Sequence, residues 1–250
     1  EYFAIPPFPS SSKFDLPFIT DQTFEITIQM IQEASLQNNL CIVGGSLFRQ
    51  RQDGLYYNSC PVFDKGHLLA FQDKIHVTSK EHSWGLNSGV LSGLQVFNVD
   101  GINVSVVICA DILFPITIAA LRDQNADLLF IPLTSPLRKS DLTQKYRDCL
   151  FVARAFDTNV YVIKTGSVGK TASGVNIAGR SLIAGPHGVM LKAESETEEE
   201  ILTIDLNIPK LEEMDLYPQL FGHYYNLNTN LFLNLRTLNT LDYVGIVFDV

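Results

Sequence analysis

The chain has 250 residues, 46% of them hydrophobic and 18% charged, with a formal net charge of −9; such a chain can bury one substantial core. The acidic surplus argues against a nucleic-acid partner, since no Lys/Arg excess is present to neutralise phosphates, and no apolar run reaches the roughly 18 residues needed to span a bilayer. Residues 1–9 lack a basic stretch followed by an apolar one, so no secretory signal is read there, although the missing initiator Met leaves open that something was removed.

Residues 22–38 carry Phe24, Ile28, Ile31 and Leu36 at roughly helical spacing ahead of Asn38-Asn39, which predicts a helix. Residues 40–48 read as one buried strand and 49–54 as a polar turn. Strands are expected at 56–63 and 68–77, joined by the hairpin turn Asp64-Lys-Gly66, with a Gly/Ser-rich loop at 87–93. Residues 103–109 are β-branched and almost wholly apolar, as in a strand covered on both faces. A helix at 116–125, a buried strand at 126–133, a helix at 142–158 and a strand at 160–165 follow. A strand pair is expected at 180–184 and 189–193, about Gly185-Pro-His-Gly188, then an acidic loop at 194–200 and a last core strand at 201–206. From about Gln219 the chain is rich in Asn, Leu and aromatics, and no period assigns it. With no repeat, low-complexity tract or linker, residues 1–250 read as a single α/β domain in which strands and helices alternate and several hairpins are interposed.

The four cysteines, Cys41, Cys60, Cys109 and Cys149, form no C-x-x-C pair and have no His at zinc-ligand spacing, which fits reduced thiols in a cytoplasmic protein. Cys109 stands where a buried strand meets a turn leading into a helix. There a thiol can project from the sheet edge while turn N–H groups face a developing oxyanion. A helix N-terminus nearby would lower the thiol pKa. The plainer reading is a small buried hydrophobe. A thiol that attacks an amide needs a proton acceptor, and the leaving nitrogen needs a donor. His67, His76, His82, His187 and His223 lie in no cysteine-protease signature and read as surface or packing residues.

Three segments in order resemble the nitrilase, or carbon–nitrogen hydrolase, superfamily. Ser105-Val-Val-Ile-Cys-Ala-Asp-Ile-Leu-Phe-Pro115 resembles the family's strand and nucleophile elbow. Phe71-Gln-Asp-Lys-Ile-His-Val77, with Glu81 seven residues after the Lys, resembles its lysine strand. Val152-Ala-Arg-Ala-Phe-Asp-Thr-Asn-Val-Tyr-Val162 and Gly179-Arg-Ser-Leu-Ile-Ala-Gly-Pro-His-Gly188 resemble its Arg-Ala helix and its later hairpin.

The resemblance implies a four-layer αββα sandwich of the nitrilase type, lacking its first strand in this chain. It also implies a Glu-Lys-Cys site in which Cys109 is the nucleophile, Lys74 and the Ala110 N–H hold the oxyanion, and Glu81 helps position the group. In the family the base ends an early strand, ahead of a loop and the first helix; the resemblance therefore assigns Glu1, the only position here at that distance, since Glu25 falls inside the predicted helix, where it would face solvent. The family's pattern departs at Leu113 and Ile116, where Arg and Glu commonly flank the Phe-Pro, and at Asp157, where Glu is usual.

The implied activity is hydrolysis of a non-peptide C–N bond in a small amide through a thioester. Nitrile or carbamoyl hydrolysis, acyl transfer and a non-catalytic binding role are the alternatives. No metal or organic cofactor is implied, no membrane or nucleic-acid partner is expected, and a homodimer or higher homo-oligomer is. Substrate choice is expected to lie in loops such as 80–93 and 136–141.

Overall fold

A computed structural model describes residues 1–2, 4, 14–137, 146–171 and 174–208, together with the backbone of two later strands. Helix α1 (Leu16–Asn38) starts six residues earlier than its apolar spacing suggests. Asp15 caps it, accepting the Phe18 N–H at 3.0 Å, and left-handed Asn39 ends it. Of the four apolar residues that signal the helix, only Ile31 is buried; the inward stripe also includes Leu16, Ile19, Thr20, Thr23, Thr27 and Ser35. Thr20 and Thr23 return their hydroxyls to the Leu16 and Ile19 carbonyls at 2.8 Å, so these polar residues enter the interior with their donors satisfied.

The strand expected at 40–48 is two strands, β1 (Cys41–Val43) and β2 (Leu47–Gln50). Gly44-Gly45-Ser46 breaks it. A Cβ on Gly44 would lie 2.7 Å from the Ile31 side chain, so the break lets α1 approach closely. Strands β3 (Tyr56–Asp64) and β4 (His67–Asp73) form the expected hairpin, turning through Lys65 and Gly66, both at positive φ. β4 ends at Asp73, four residues short of its predicted end, and releases Lys74, Ile75 and His76 from the sheet. Then come α2 (Ser79–Ser83), β5 (Leu86–Asn87), β6 (Val96–Val99) and β7 (Ile102–Val106).

A 3-10 turn, Cys109–Leu113, leads into α3 (Pro115–Arg122) and β8 (Leu128–Leu133). α4 (Arg147–Thr158) follows; residues 142–145, predicted helical, lie outside the described residues, as does 138–141 of the second specificity loop. The remaining strands are β9 (Tyr161–Gly166), β10 (Gly169–Lys170), β11 (Asn176–Ile177), β12 (Leu182–Gly185), β13 (Gly188–Lys192), β14 (Ile204–Asn207), β15 (Phe232–Thr237) and β16 (Ile246–Asp249). Apart from β15 and β16, the region beyond Gln219 lies outside the described residues.

One sheet runs β14-β15-β16-β1-β3-β2, with β4 and β5 also pairing to β3; the other runs β13-β12-β9-β8-β7-β6. In the second sheet β7, β8 and β9 are parallel and buried on both faces, which accounts for their unbroken apolar runs. Cys41, Val43, Cys60 and Val62 of the first sheet pack on Val104, Val106, Phe130 and Ile163 of the second. The outer face of the first sheet is covered by α1 through Ile31, Ile42 and Phe63. The second is covered by α3 and α4 through Ile118, Leu121, Phe151 and Ala155. The layers are therefore αββα, as expected. Among the described residues no helix is long and apolar enough to cross a membrane.

Candidate active site

The carboxyl ends of β7, β8 and β9 bring Cys109, Thr134 and Ser167 to one edge of the second sheet, while β3 and the chain after β4 bring Asn58 and Lys74 from the first. β7 stops at Val106, three residues before the nucleophile candidate, and Cys109 opens the 3-10 turn at φ 48°. A non-glycine residue in the left-handed region persists only where its surroundings fix it. Asp111 supplies that fixing. It is 1% exposed and accepts the N–H groups of Ile108 at 3.0 Å, His76 at 2.6 Å and Ile75 at 3.3 Å. One carboxylate thus ties the cysteine turn to the residues that follow Lys74. From the other side, Arg154 Nε donates to the Ile112 carbonyl at 3.1 Å, and Arg154 Nη1 is held by Asp157 at 3.1 Å.

Lys74 is 1% exposed. Its N–H donates to the Asn58 carbonyl and its own carbonyl accepts the Gly89 N–H, both at 2.8 Å, so the backbone is gripped on two sides. The ammonium lies 2.6 Å from Glu1 Oε1 and 2.8 and 2.9 Å from the two oxygens of Glu81. Glu81 belongs to a capping box at the start of α2: the Thr78 N–H donates to its Oε2 at 2.7 Å, and its own N–H donates to Thr78 Oγ1 at 3.3 Å. The Tyr2 hydroxyl also donates to Glu81 Oε1. Glu1 Oε2 accepts the Thr134 N–H at 3.2 Å, and the Thr134 hydroxyl donates to the Glu1 carbonyl at 2.8 Å. Asn58, wholly buried on β3, donates through Nδ2 to Glu1 Oε1 at 3.0 Å and to Glu81 Oε1 at 3.1 Å.

Electrostatics follow from this packing. Burial disfavours the Lys74 charge, but the Glu1 and Glu81 carboxylates outweigh it and hold the ammonium above the ordinary lysine range. Burial likewise opposes the Glu81 charge, and Lys74, Tyr2 and the Thr78 N–H overcome it to hold the carboxyl below its usual range. The Cys109 thiol moves the other way. Burial raises its pKa first, the Glu1 charge and a hydrogen bond with Glu1 raise it further, and Lys74 offsets only part. The depressed thiol expected from a helix N-terminus is therefore corrected: the turn is a short 3-10 segment, and desolvation beside a carboxylate dominates.

All four predicted side chains, Glu1, Lys74, Glu81 and Cys109, thus converge, with Ala110 directly after the thiol in the same turn. The carbon–nitrogen hydrolase family model matches residues 3–215. The chain belongs to that family. Its place is the amidase-like branch of the nitrilase superfamily, and Lys74, Glu81 and Cys109 fall inside the matched span.

The chain is 28% identical over 203 residues to a 2-oxoglutaramate amidase of Bacillus subtilis, covering 80% of this chain and 74% of that protein. It is 30% identical over 152 residues to the probable hydrolase YhcX of the same organism, covering 60% of this chain but only 28% of that protein's length. Among solved structures, a carbon–nitrogen hydrolase from Helicobacter pylori shares the fold at TM-score 0.70 and 20% identity, covering 89% of this chain and 79% of its own. A mutant of the amidase from Nesterenkonia sp. AN1 shares it at TM-score 0.63 and 18% identity, covering 77% and 75%.

Within this carbon–nitrogen hydrolase chain the sequence pattern misses Asn58, Tyr2 and Thr134, and carries Asp111 only as a member of the cysteine elbow, without its role. Asn58 carries a signal, being an amide next to Ser59 in a strand whose other residues before Asp64 are aromatic or apolar. Tyr2 and Thr134 carry none. His67, His82 and His187 are exposed; His76 stacks on Phe114 at 3.6 Å between ring centroids and contacts Thr117 Oγ1 at 2.9 Å; His223 lies outside the described residues. Among the described residues no His, Cys, Asp and Glu side chains are grouped so as to hold a metal ion.

Proposed function

We propose that the chain hydrolyses the C–N bond of a small amide through a thioester on Cys109, with Glu1 as proton carrier and Lys74 as electrostatic stabiliser. The observation that carries this reading is a buried lysine held between two glutamates, at 2.6 Å from Glu1 and 2.8 Å from Glu81, in the same cluster as the Cys109 thiol, whose pKa the Glu1 charge raises and the Lys74 charge lowers. With its pKa raised, the thiol rests protonated. Glu1 takes the proton as sulfur attacks the amide carbon, and the oxyanion is met by the Lys74 ammonium and the Ala110 N–H. Glu1 returns the proton to the departing ammonia or amine. Water, activated by the same carboxylate, then cleaves the thioester and releases the acid. A relative described as a 2-oxoglutaramate amidase supports an amide substrate. The Nesterenkonia amidase structure, described as showing Michael addition of acrylamide at its active-site cysteine, supports a nucleophilic thiol.

The test is ammonia release over a panel of small amides, carbamoyl compounds and nitriles by the wild-type chain and Cys109→Ala, with mass spectrometry of the Cys109 peptide during turnover. Release that vanishes in the variant, with an acyl-sized mass gain on Cys109, is the expected result. Release that survives in Cys109→Ala rules the thioester out. Turnover confined to nitriles or carbamoyl compounds keeps the chemistry and moves the substrate class.

A further inference from the structure

Two glutamates share one lysine in this site, which leaves a buried surplus of negative charge. Each carboxylate places an oxygen within 2.8 Å of the same ammonium, so Glu1 Oε1 and Glu81 Oε1 are close neighbours. Like charges this close resist both being ionised. The side-chain amide of Asn58 meets the same two oxygens, one hydrogen for each, at 3.0 and 3.1 Å. Its orientation follows from chemistry: the reverse placement would set Oδ1 against two carboxylate oxygens. Oδ1 is instead turned away, buried and without a hydrogen-bond partner among the described residues. Asn58 is 0% exposed, faces Phe48 across the β2–β3 pairing, and gives its backbone carbonyl to the Lys74 N–H at 2.8 Å. It therefore grips the lysine segment and both glutamates at once.

We propose that Asn58 is a positioning residue whose amide clamps Glu1 and Glu81 together on Lys74, the arrangement from which Glu1 accepts the Cys109 proton. The inference rests on the acyl-transfer reading for its catalytic meaning, but the clamp has its own signature. The charged and titratable groups around the carboxylates are Lys74 from the end of β4, the Glu1 α-amino group, whose pKa burial lowers, Tyr2, Cys109 from the turn after β7, and Asp111, whose charge reaches Lys74. None of these replaces a neutral double donor. Without it the cluster takes up a proton more readily, and the acidic limb of thiol reactivity moves to higher pH.

The experiment compares wild type with Asn58→Leu, which keeps the shape without donors, Asn58→Asp, which adds a third carboxylate, and Asn58→Ser, which retains one donor. Two profiles against pH are recorded: kcat/KM for ammonia release, and the rate of alkylation of the Cys109 peptide by iodoacetamide. The exposed Cys149 serves as an internal reference. Cooperative thermal unfolding establishes which variants are folded, and Asn58→Ser carries the test if Leu and Asp do not fold. The acidic limb is expected to rise by about one pH unit in Leu, a tenfold change in proton affinity, further in Asp and less in Ser, with Cys149 unchanged. Profiles that keep the wild-type midpoint and lose only amplitude would overturn the clamp. If wild type releases no ammonia while Cys109 alkylation still shifts with Asn58, amide hydrolysis fails and the clamp stands. Intact hydrolysis with unmoved midpoints is the reverse.

Discussion

Two lysines of this chain are buried to similar depth and have opposite fates. Lys74 is 1% exposed and Lys164, on β9, is 5% exposed. Lys74 lies between Glu1 and Glu81, which overcome burial and keep its proton on. Lys164 faces the α4 side of the second sheet with its ammonium 4.8 Å from the centre of the Phe151 ring, and among the described residues it forms no ion pair. Burial pulls its pKa down to about 8; Asp148 and Glu196 oppose this, Arg180 and Arg147 add to it. Pairing, more than depth, decides whether a buried amine carries charge. Lys74 is furnished with two carboxylates and sits beside a neutral amide that binds them both, and Lys164, beside a phenyl ring, is not.

Lys74→Met should have the largest effect. It leaves two carboxylates, 3% and 4% exposed, facing one another with no cation between them. Removing one partner of a buried ion pair costs about 3–5 kcal/mol, and urea denaturation should show a loss of that order near neutral pH together with loss of hydrolysis. The loss should shrink as pH falls and a carboxylate protonates. A stability change below about 1 kcal/mol would break the contrast between the two lysines, because the Lys74 cluster would then be no better built than the Lys164 surroundings.

Lys164→Met should act with the opposite sign and a smaller size. The folded pKa lies below that of an unfolded lysine, so between about pH 8 and 10.5 the unfolded chain binds a proton that the folded chain has released. The cost of burying the amine is present in full below that window and is relieved as pH rises through it. Methionine has no charge to bury and packs well on an aromatic ring. The variant should therefore be more stable at pH 7 by about 1–3 kcal/mol, and the gap to wild type should close toward pH 10.5. Chemical denaturation at pH 7 and pH 10 checks both; a gap that is constant with pH means Lys164 does not titrate there.

The lysine that matters is the legible one. Its motif, with Glu81 seven residues on, is local: β4 must end early for Lys74 to leave the sheet, and one turn of α2 returns Glu81 to it. Cys109 is legible for a similar reason, since an apolar strand running into Cys-Ala-Asp marks a strand-to-turn junction. The rest of the site depends on contacts that no period records. Glu1 meets Thr134 across 133 positions of sequence, and nothing near either residue announces the other. Helix α1 is read from its apolar period only from residue 22; its first six residues escape because the inward stripe there passes from Leu16 and Ile19 to Thr20 and Thr23, whose hydroxyls are satisfied by carbonyls one turn back. The direction of the thiol pKa is not legible either, because a helix-end argument weighs a dipole and leaves out desolvation and the Glu1 carboxylate.

The smallest predicted effect asks how firmly Glu81 must be held for Lys74 to keep its charge. Thr78 grips it twice, by its backbone N–H to Oε2 at 2.7 Å and by its hydroxyl accepting the Glu81 N–H at 3.3 Å. Thr78→Ala removes the second grip and leaves the first, together with the bonds from Lys74, Asn58 and Tyr2. An N-cap hydroxyl is worth about 1 kcal/mol, and thermal unfolding should register a loss of that size. Because four donors still reach the carboxylate, kcat/KM should fall by less than about tenfold and its pH midpoints should stay in place. Glu81→Gln, which keeps the side-chain shape and removes the charge, should instead shift the profile. If Thr78→Ala moved the midpoints as far as Glu81→Gln does, the capping hydroxyl would be setting the charge of the cluster, and α2 would belong to the active site as a whole, not through its one glutamate.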